Sequence, residues 1–330
     1  MNGILTQTSL DNLSTSRQPP PFATYRDHKS QYLKAEYVKA YDFYVGNLLE
    51  SWNFRGQRFV DCHTRAVFAR NLSTSQVRVL ANSCHLRFCP LCNDSRRRLI
   101  QRNIIDWLKN QRYPKFLTLT LKSEDTPLPN QIDRLYKAFQ NLRRRSLLKK
   151  KVSSGIWFFQ ITKNQKTGLW HPHLHCLLTG SYIPRRELQR QWHEITKDSH
   201  QVDIRLIHDT ESAALEVARY ASCSVNIKAF DNFELQELDE SLRNRRICGS
   251  WGKCKKQRLL SPPKYEDNQW EKIGSWSTVV NNINEIDEAR LIYNAWKNNQ
   301  PLPIGITLVP LEDAMRNTLE NCEVLIEESG

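Results

Sequence analysis

No stretch of this chain approaches the roughly 18 consecutive apolar residues that would span a bilayer. Its first residues, MNGILTQTSLDNLSTSRQPPP, lack a basic start followed by an apolar run, so no secretory signal is expected. A soluble, cytoplasmic protein without a membrane partner is the expectation. There is no internal repeat and no helix-turn-helix pattern. No G-x4-G-K-[ST] loop is present either, which excludes a nucleotide-driven motor of that type. Acidic residues are in deficit, with 35 Asp plus Glu against 48 Lys plus Arg and a formal charge of +13.

What is present is enough for two or three domains. The 330 residues are 39% hydrophobic and include 12 Phe, 11 Tyr and 9 Trp, which excludes both a small disulfide-stapled scaffold and a wholly disordered tail. The positive charge is concentrated: residues 86–151 hold 17 Lys or Arg against five Asp or Glu, a net +12. The last thirty residues carry one basic and six acidic side chains. A localised basic excess suits a polyanion, because each neutralised phosphate releases counterions. Nine cysteines in a chain of cytosolic character point to a metal site before disulfides.

Residues 1–30 read as a flexible arm. Leu33, Tyr37, Tyr41, Tyr44 and Leu48 recur at helical spacing over 32–52. Residues 57–85 alternate like short strands, and a helix capped by Asn93 or Asp94 follows to Lys109. FLTLTLK (116–122) is a strand. Residues 130–150 form a basic helix with Ile132, Leu135, Phe139 and Leu142 inward. The strands GIWFFQIT (155–162) and LWHPHLHCLL (169–178) make a hairpin turning at Gly168. Helix (to Thr196), strand (202–207) and helix (211–226) complete a β-α-β-β-α-β order. That is the split βαβ pattern of a ferredoxin/RRM-like α+β fold, an antiparallel sheet with helices on one face. The boundaries expected are an arm to 30, a helix plus metal module over 31–112, a catalytic domain over 113–260, and an unread region over 261–330.

Three constellations carry chemistry. Cys84-x4-Cys89-Pro90-x-Cys92, with Cys62 upstream, supplies four thiolates for a closed, structural zinc site, with His63 and His85 as competing ligands. In HPHLHCLL, strand alternation puts His171, His173 and His175 on one face about 6–7 Å apart, where they can chelate a cation. In E-x3-Y, Glu216 and Tyr220 are neighbours on one helical face. Tyrosine is a weak nucleophile at neutral pH unless a metal and a base assist it. Basic and aromatic residues interleave over 143–158 and 243–258, where phosphates and bases could bind. Cys248 and Cys254 do not read as a second zinc site.

The order C-x4-C-x2-C, FLTLT, HPHLHCLL and E-x3-Y, over about residues 56–260, resembles the rolling-circle plasmid replication initiators of the HUH endonuclease superfamily. The branch it resembles has a glutamate one helical turn before its tyrosine, where Glu216 stands, and an RFCPLC-like cluster, here Arg87 to Cys92. The resemblance implies metal-dependent nicking of the origin strand. Tyr220 would be the nucleophile, giving a 5′-phosphotyrosyl link and a free 3′-OH, and Glu216 would activate water for a second, terminating cleavage. It further implies Mg²⁺ or Mn²⁺ on His173 and His175, with His171 or Gln160 as third ligand, although the family usually has an acidic residue where Gln160 stands. Zn²⁺ would sit on Cys62, Cys84, Cys89 and Cys92. Arg87, Arg96, Arg97, Arg98, Lys122, Arg143, Arg144, Arg145 and Lys228 are the candidate contacts to plasmid origin DNA. A supercoiled template or a host helicase would have to separate the strands.

Tyr182 and Tyr136 are the alternative nucleophiles. Three other readings compete. A histidine-triad nucleotide hydrolase shares H-x-H-x-H but needs no metal. A single-tyrosine transposase or a relaxase shares the histidine pair, though relaxases usually place the tyrosine before it. The third is a zinc-stabilised DNA-binding protein without activity.

Overall fold

The computed structural model describes residues 24–46, 54–164, 166–222, 226–256, 269–308 and 325–327. The helices and strands run α1 (Tyr25–Ser30), α2 (Lys34–Tyr41), α3 (Phe54–Val60), β1 (Ala66–Asn71), β2 (Val77–Ala81), α4 (Pro90–Lys109), β3 (Lys115–Thr120), α5 (Leu128–Arg144), α6 (Ser146–Lys151) and β4 (Val152–Lys163). There follow β5 (Trp170–Gly180), α7 (Arg185–Thr196), β6 (Val202–Leu206), α8 (Thr210–Ser222), α9 (Asn232–Ser241), β7 (Cys248–Gly252), β8 (Trp270–Ser275), α10 (Trp276–Asn281), α11 (Asp287–Lys297) and β9 (Leu325–Glu327). The chain divides into two compact units, residues 1–95 with 263–330, and residues 96–262.

The first unit is built on a four-stranded antiparallel sheet in the order β8-β1-β2-β9. Its core joins Phe68 and Val79 from the hairpin to Ile273, Trp276, Ile292 and Trp296 from far along the chain. Phe68 and Trp276 stack at 5.5 Å with planes 4° apart. Arg70, opposite Glu271 in the β1–β8 ladder, is fully buried and ion-paired with it, and also donates to the Pro303 carbonyl. A charge this deep is tolerated because its donors are matched. The region past 260 that is unreadable in sequence therefore supplies two strands and helices to this unit. Residues 24–30 are not an arm: Thr24 and Asp27 form a capping box for α1, and Tyr25 is buried 4.9 Å from Trp276. Residues 1–23 of the expected arm lie outside the described residues. The stretch opening at 57 is the end of helix α3 rather than a strand.

The second unit contains the expected split βαβ. Its sheet runs β6-β3-β5-β4-β7, every pair antiparallel. Chain leaving β3 crosses through α5 to β4, and β5 returns by a hairpin into the gap between them. Gly168, at φ +68°, supplies the left-handed turn. Ile132, Leu135, Phe139 and Leu142 are buried on α5, as their spacing predicts. Tyr136 and Phe139 lie against Trp157 at 5.5 and 6.2 Å, and Trp192 of α7 donates to the Thr120 carbonyl. The expectation of helices on one face needs correction. Helices α4 and α8 cover the other face, packing Ile100, Ile104, Val217 and Ala218 on Phe116, Ile156, Phe158 and Leu177. Both faces of β3, β4 and β5 are apolar at their centre, so both need a cover.

Candidate active site and cysteine cluster

Register fixes the site. Thr118 pairs with His175, Thr120 with His173, and Gln160 with His173, so these side chains share the face covered by α4 and α8. His175 is buried and His173 partly so, and their Nε2 atoms converge on Gln160 Oε1, that of His175 at 2.7 Å. His173 Nδ1 lies 3.0 Å from the His171 carbonyl, which can only accept, so Nδ1 carries the proton and Nε2 the lone pair. His175 Nδ1 lies 3.1 Å from Thr118 Oγ1. Burial pushes the His173 pKa down to about 4, helped by His171. Burial, then His173 and Arg205, push His175 to about 3. Both rings are neutral at physiological pH, the form that ligates a metal.

Two imidazole nitrogens and an amide oxygen directed at one point make a donor set that fits a divalent cation. The mixed nitrogen–oxygen character suits Mn²⁺ better than Mg²⁺, which prefers oxygen ligands. His171 is half-buried and stands one step along the strand, its ring 5.5 Å from that of His173. Of the two third-ligand candidates, Gln160 is the one brought to the meeting point of His173 and His175.

Tyr220, on α8, lies over this pair. Its ring stacks on His175 at 4.4 Å and 15°. The hydroxyl donates to Glu216 Oε1 over a long 3.5 Å, and burial first, then the Glu216 carboxylate, raises its pKa. Arg205, which sequence reasoning missed, pairs with Glu216 Oε2 at 3.2 Å and lies over the Phe116 ring at 4.9 Å. No local motif announces Arg205, because the β3–β6 register alone sets it opposite Phe116. The alternative tyrosines stand elsewhere. Tyr136 is on the face opposite the histidines, its hydroxyl donating to the Arg246 carbonyl, and Tyr182 is exposed beyond the far end of β5.

The candidate DNA contacts do not form one patch. Arg96 reaches to 4.0 Å from Cys248 Sγ, and Cys248 pairs with Phe158 on the histidine face. Arg97 follows on α4 partly exposed, Arg98 exposed. Lys122 is exposed two residues past Thr120, and Lys228 is exposed in a short turn. Arg143, Arg144 and Arg145 end α5, on the opposite side of the sheet. There Arg143 is half-buried, over Phe139 and Trp251 at 5.1 and 5.3 Å, and Arg145 is 3.7 Å from Glu194. A strand held at the histidines is separated from these three by the sheet itself. Arg87 belongs to the first unit, where its carbonyl accepts from Asn93.

Within the first unit Cys62, Cys84, Cys89 and Cys92 are all buried, with sulfurs within 4.8 Å of one another. Separations of 3.5, 3.6 and 3.8 Å approach the ~3.8 Å edge of a tetrahedron with ~2.3 Å metal–sulfur bonds, and far exceed a disulfide bond. Cys92 lies in the first turn of α4, and thiols of Cys62, Cys84 and Cys89 donating to it hold its pKa well below the usual thiol range. Cys62 and Cys89 are pushed up, Cys62 mainly by its thiol neighbours and Cys89 mainly by burial. Cys62 and Cys84 are each followed by a histidine in the left-handed region, His63 at φ 61° and His85 at φ 53°. His85 is exposed and His63 Nδ1 is 3.0 Å from Cys62 Sγ, so the four sulfurs, and neither histidine, form the cluster that could hold a metal ion.

A family model described as "Replication protein" (Rep_1) matches residues 76–301. "Protein rep" of Streptococcus pneumoniae serotype 2 (strain D39 / NCTC 7466) is 27% identical over 225 residues, covering 61% of this chain and 70% of that protein. "Protein rep" of Staphylococcus aureus is 27% identical over 180 residues, 49% of this chain and 79% of that protein. "Protein rep" of Bacillus amyloliquefaciens is 25% identical over 260 residues, 67% and 76% of the two chains. No solved structure matches the chain.

Proposed function

Because this chain belongs to the Rep_1 family of replication proteins, we propose that it is a rolling-circle plasmid replication initiator that nicks and rejoins one origin strand through Tyr220. The observation that carries the reading is the stack of Tyr220 on His175, at 4.4 Å, directly beside the point where His173, His175 and Gln160 converge. His173, His175 and Gln160 would hold Mg²⁺ or Mn²⁺. When bound, such a cation supplies Lewis-acid polarisation of the scissile phosphate.

The chain's own residues do the rest. Tyr220 Oη forms the new bond to phosphorus as the bond to the 3′ oxygen breaks, and that oxygen takes a proton from solvent to become the primer hydroxyl. The phenolic proton passes to Glu216 Oε1, the neighbouring acceptor. The raised pKa of Tyr220 keeps the phenol protonated at rest, so this transfer belongs to the reaction. Glu216 gives that proton up to solvent and at the second cleavage takes one from water, whose oxygen bonds to the second scissile phosphorus as its 3′ oxygen leaves. The resulting 3′-OH then attacks the Tyr220 phosphodiester, restoring the phenol and leaving the protein free of DNA. Helix α8 sets both groups one turn apart on one face.

Cys62, Cys84, Cys89 and Cys92 would hold a structural Zn²⁺. Among the described residues no helix is long and apolar enough to cross a membrane. Origin DNA is the proposed partner. With no nucleotide-binding loop in the sequence, strand opening falls to supercoiling or to a separate helicase. The test is incubation with supercoiled plasmid bearing the cognate origin. Mn²⁺ or Mg²⁺ should give an open-circular product cut in one strand at one position, and no nicking with either metal would refute the reading.

A further inference from the structure

Beyond the site, at the opposite end of β5 from the histidines, two aromatic side chains stand in solvent. Tyr113 is 66% exposed and Tyr182 is 75% exposed. Neither is there by accident of a loose loop. Tyr113 holds a left-handed backbone, φ 51°, a conformation that a bulky side chain adopts only under constraint. The constraint is Lys115, whose buried ammonium donates to the Tyr113 carbonyl and to the Gly180 carbonyl, both at 2.9 Å. Gly180 is itself required, at φ 130°, because a Cβ there would lie 2.2 Å from the Lys151 carbonyl oxygen. The next residue, Ser181, donates its N–H to that same carbonyl. One knot of backbone therefore ties together the two segments that carry the tyrosines.

The surroundings are basic. The Arg112 guanidinium lies 5.9 Å from the Tyr113 ring centroid. Lys149, Lys150 and Lys151, all exposed, lead into the same knot through the Lys151 carbonyl. Exposed rings interleaved with cations are what a single strand needs, since every base has a face to stack and every phosphate a charge to meet. A duplex, with its bases already stacked, has no use for the rings.

We propose that Tyr113 and Tyr182 form a stacking platform for single-stranded DNA, separate from the nicking site, with Arg112 and Lys149 to Lys151 meeting the phosphates. By strand rise the near edge of the platform, at Gly180, lies about 17 Å along β5 from His175. It would hold the displaced or incoming single strand a few nucleotides from the scissile phosphate. The inference rests on the reading that this chain handles single-stranded origin DNA.

The test is fluorescence anisotropy of the full chain with labelled oligothymidylate of 20 nucleotides, and with a 20-base-pair duplex, without added divalent metal. Tyr113→Ala and Tyr182→Ala should each weaken oligothymidylate binding roughly 5- to 150-fold, the range for losing one base stack. Duplex binding should stay within twofold, and Tyr→Phe at either position should bind as the unaltered protein does. Tyr113→Gly accepts the left-handed backbone without a ring, so it should lose as much as Tyr113→Ala. Unchanged oligothymidylate binding in the alanine variants, or an equal loss for duplex, would overturn the platform. The nicking assay on supercoiled plasmid separates this from the parent reading. If the unaltered protein nicks while the alanine variants bind oligothymidylate normally, only the platform fails.

Discussion

The phenol of Tyr220 lies parallel to the imidazole of His175, centroids 4.4 Å apart and planes 15° apart. A tyrosine on a helix surface ordinarily rotates freely. This one is held by the stack on one side and by Glu216 at its hydroxyl on the other. The proposed nucleophile and a candidate metal ligand, more than forty positions apart in the chain, are thus joined by one ring contact.

His173→Ala and His175→Ala should each abolish detectable nicking while leaving the fold intact by circular dichroism. His171→Ala should retain nicking within tenfold, because its ring is not at the convergence point. Gln160→Ala should fall between these, and Mn²⁺ should support faster nicking than Mg²⁺. Steady-state nicking of supercoiled plasmid reads all four. A His171 variant as inactive as the His173 variant would restore His171 as the third ligand.

The two buried histidines also make stability depend on pH. Their pKa values of about 4 and about 3 lie below the ~6.5 of an unfolded histidine. The unfolded chain therefore binds protons that the folded protein refuses. Their contribution is complete above about pH 6.5 and is lost as the pH falls toward 4, with a slope of at most ~1.4 kcal/mol per pH unit for each histidine. Urea midpoints of metal-free protein should drop between pH 7 and pH 5, and the drop should shrink in His173→Gln. Equal drops in both proteins would count against it.

Glu216→Ala should slow nicking and stop the second, hydrolytic cleavage altogether, so that the covalent adduct accumulates. The loss in the nicking rate should be on the order of 10²-fold, the usual size of a general-base contribution. Gel bands for adduct and released strand, followed over time, separate the two cleavages. Normal strand release in this variant would remove Glu216 from the mechanism.

The cysteine cluster should bind one zinc ion per chain, measured by elemental analysis of the purified protein. Cys89→Ala should lose that ion and lower the melting temperature of the first unit, because a closed four-sulfur site contributes directly to folding. Full zinc content in Cys89→Ala would show that the sulfurs are not its ligands.

Much of the second unit is legible in the sequence because its signals are local. Alternation in FLTLT and HPHLHCLL, and the apolar stripe Ile132, Leu135, Phe139 and Leu142, each report on a few neighbouring residues. Even the order β6-β3-β5-β4 follows from the split βαβ pattern. What stayed hidden depends on distant partners. Residues 269–308 look featureless until Glu271 meets Arg70 and Trp276 meets Phe68, some two hundred positions away. Phe59 was misread as part of a strand because a short apolar run has no period of its own. Arg143, Arg144 and Arg145 belong in sequence to the basic stretch 86–151, but charge along a chain carries no information about which side of a sheet it reaches. Gln160 could be paired with the histidines from the hairpin alone, but its preference over His171 needed the register.

The most direct measurement is peptide mapping of the covalent adduct. Full-length protein is incubated with supercoiled origin plasmid and Mn²⁺, denatured, digested with nuclease and protease, and analysed by mass spectrometry. The account predicts a nucleotide-modified peptide carrying the phosphate on Tyr220, and its disappearance in Tyr220→Phe. An adduct on Tyr182, Tyr136 or any other residue, or one that persists in Tyr220→Phe, would contradict it.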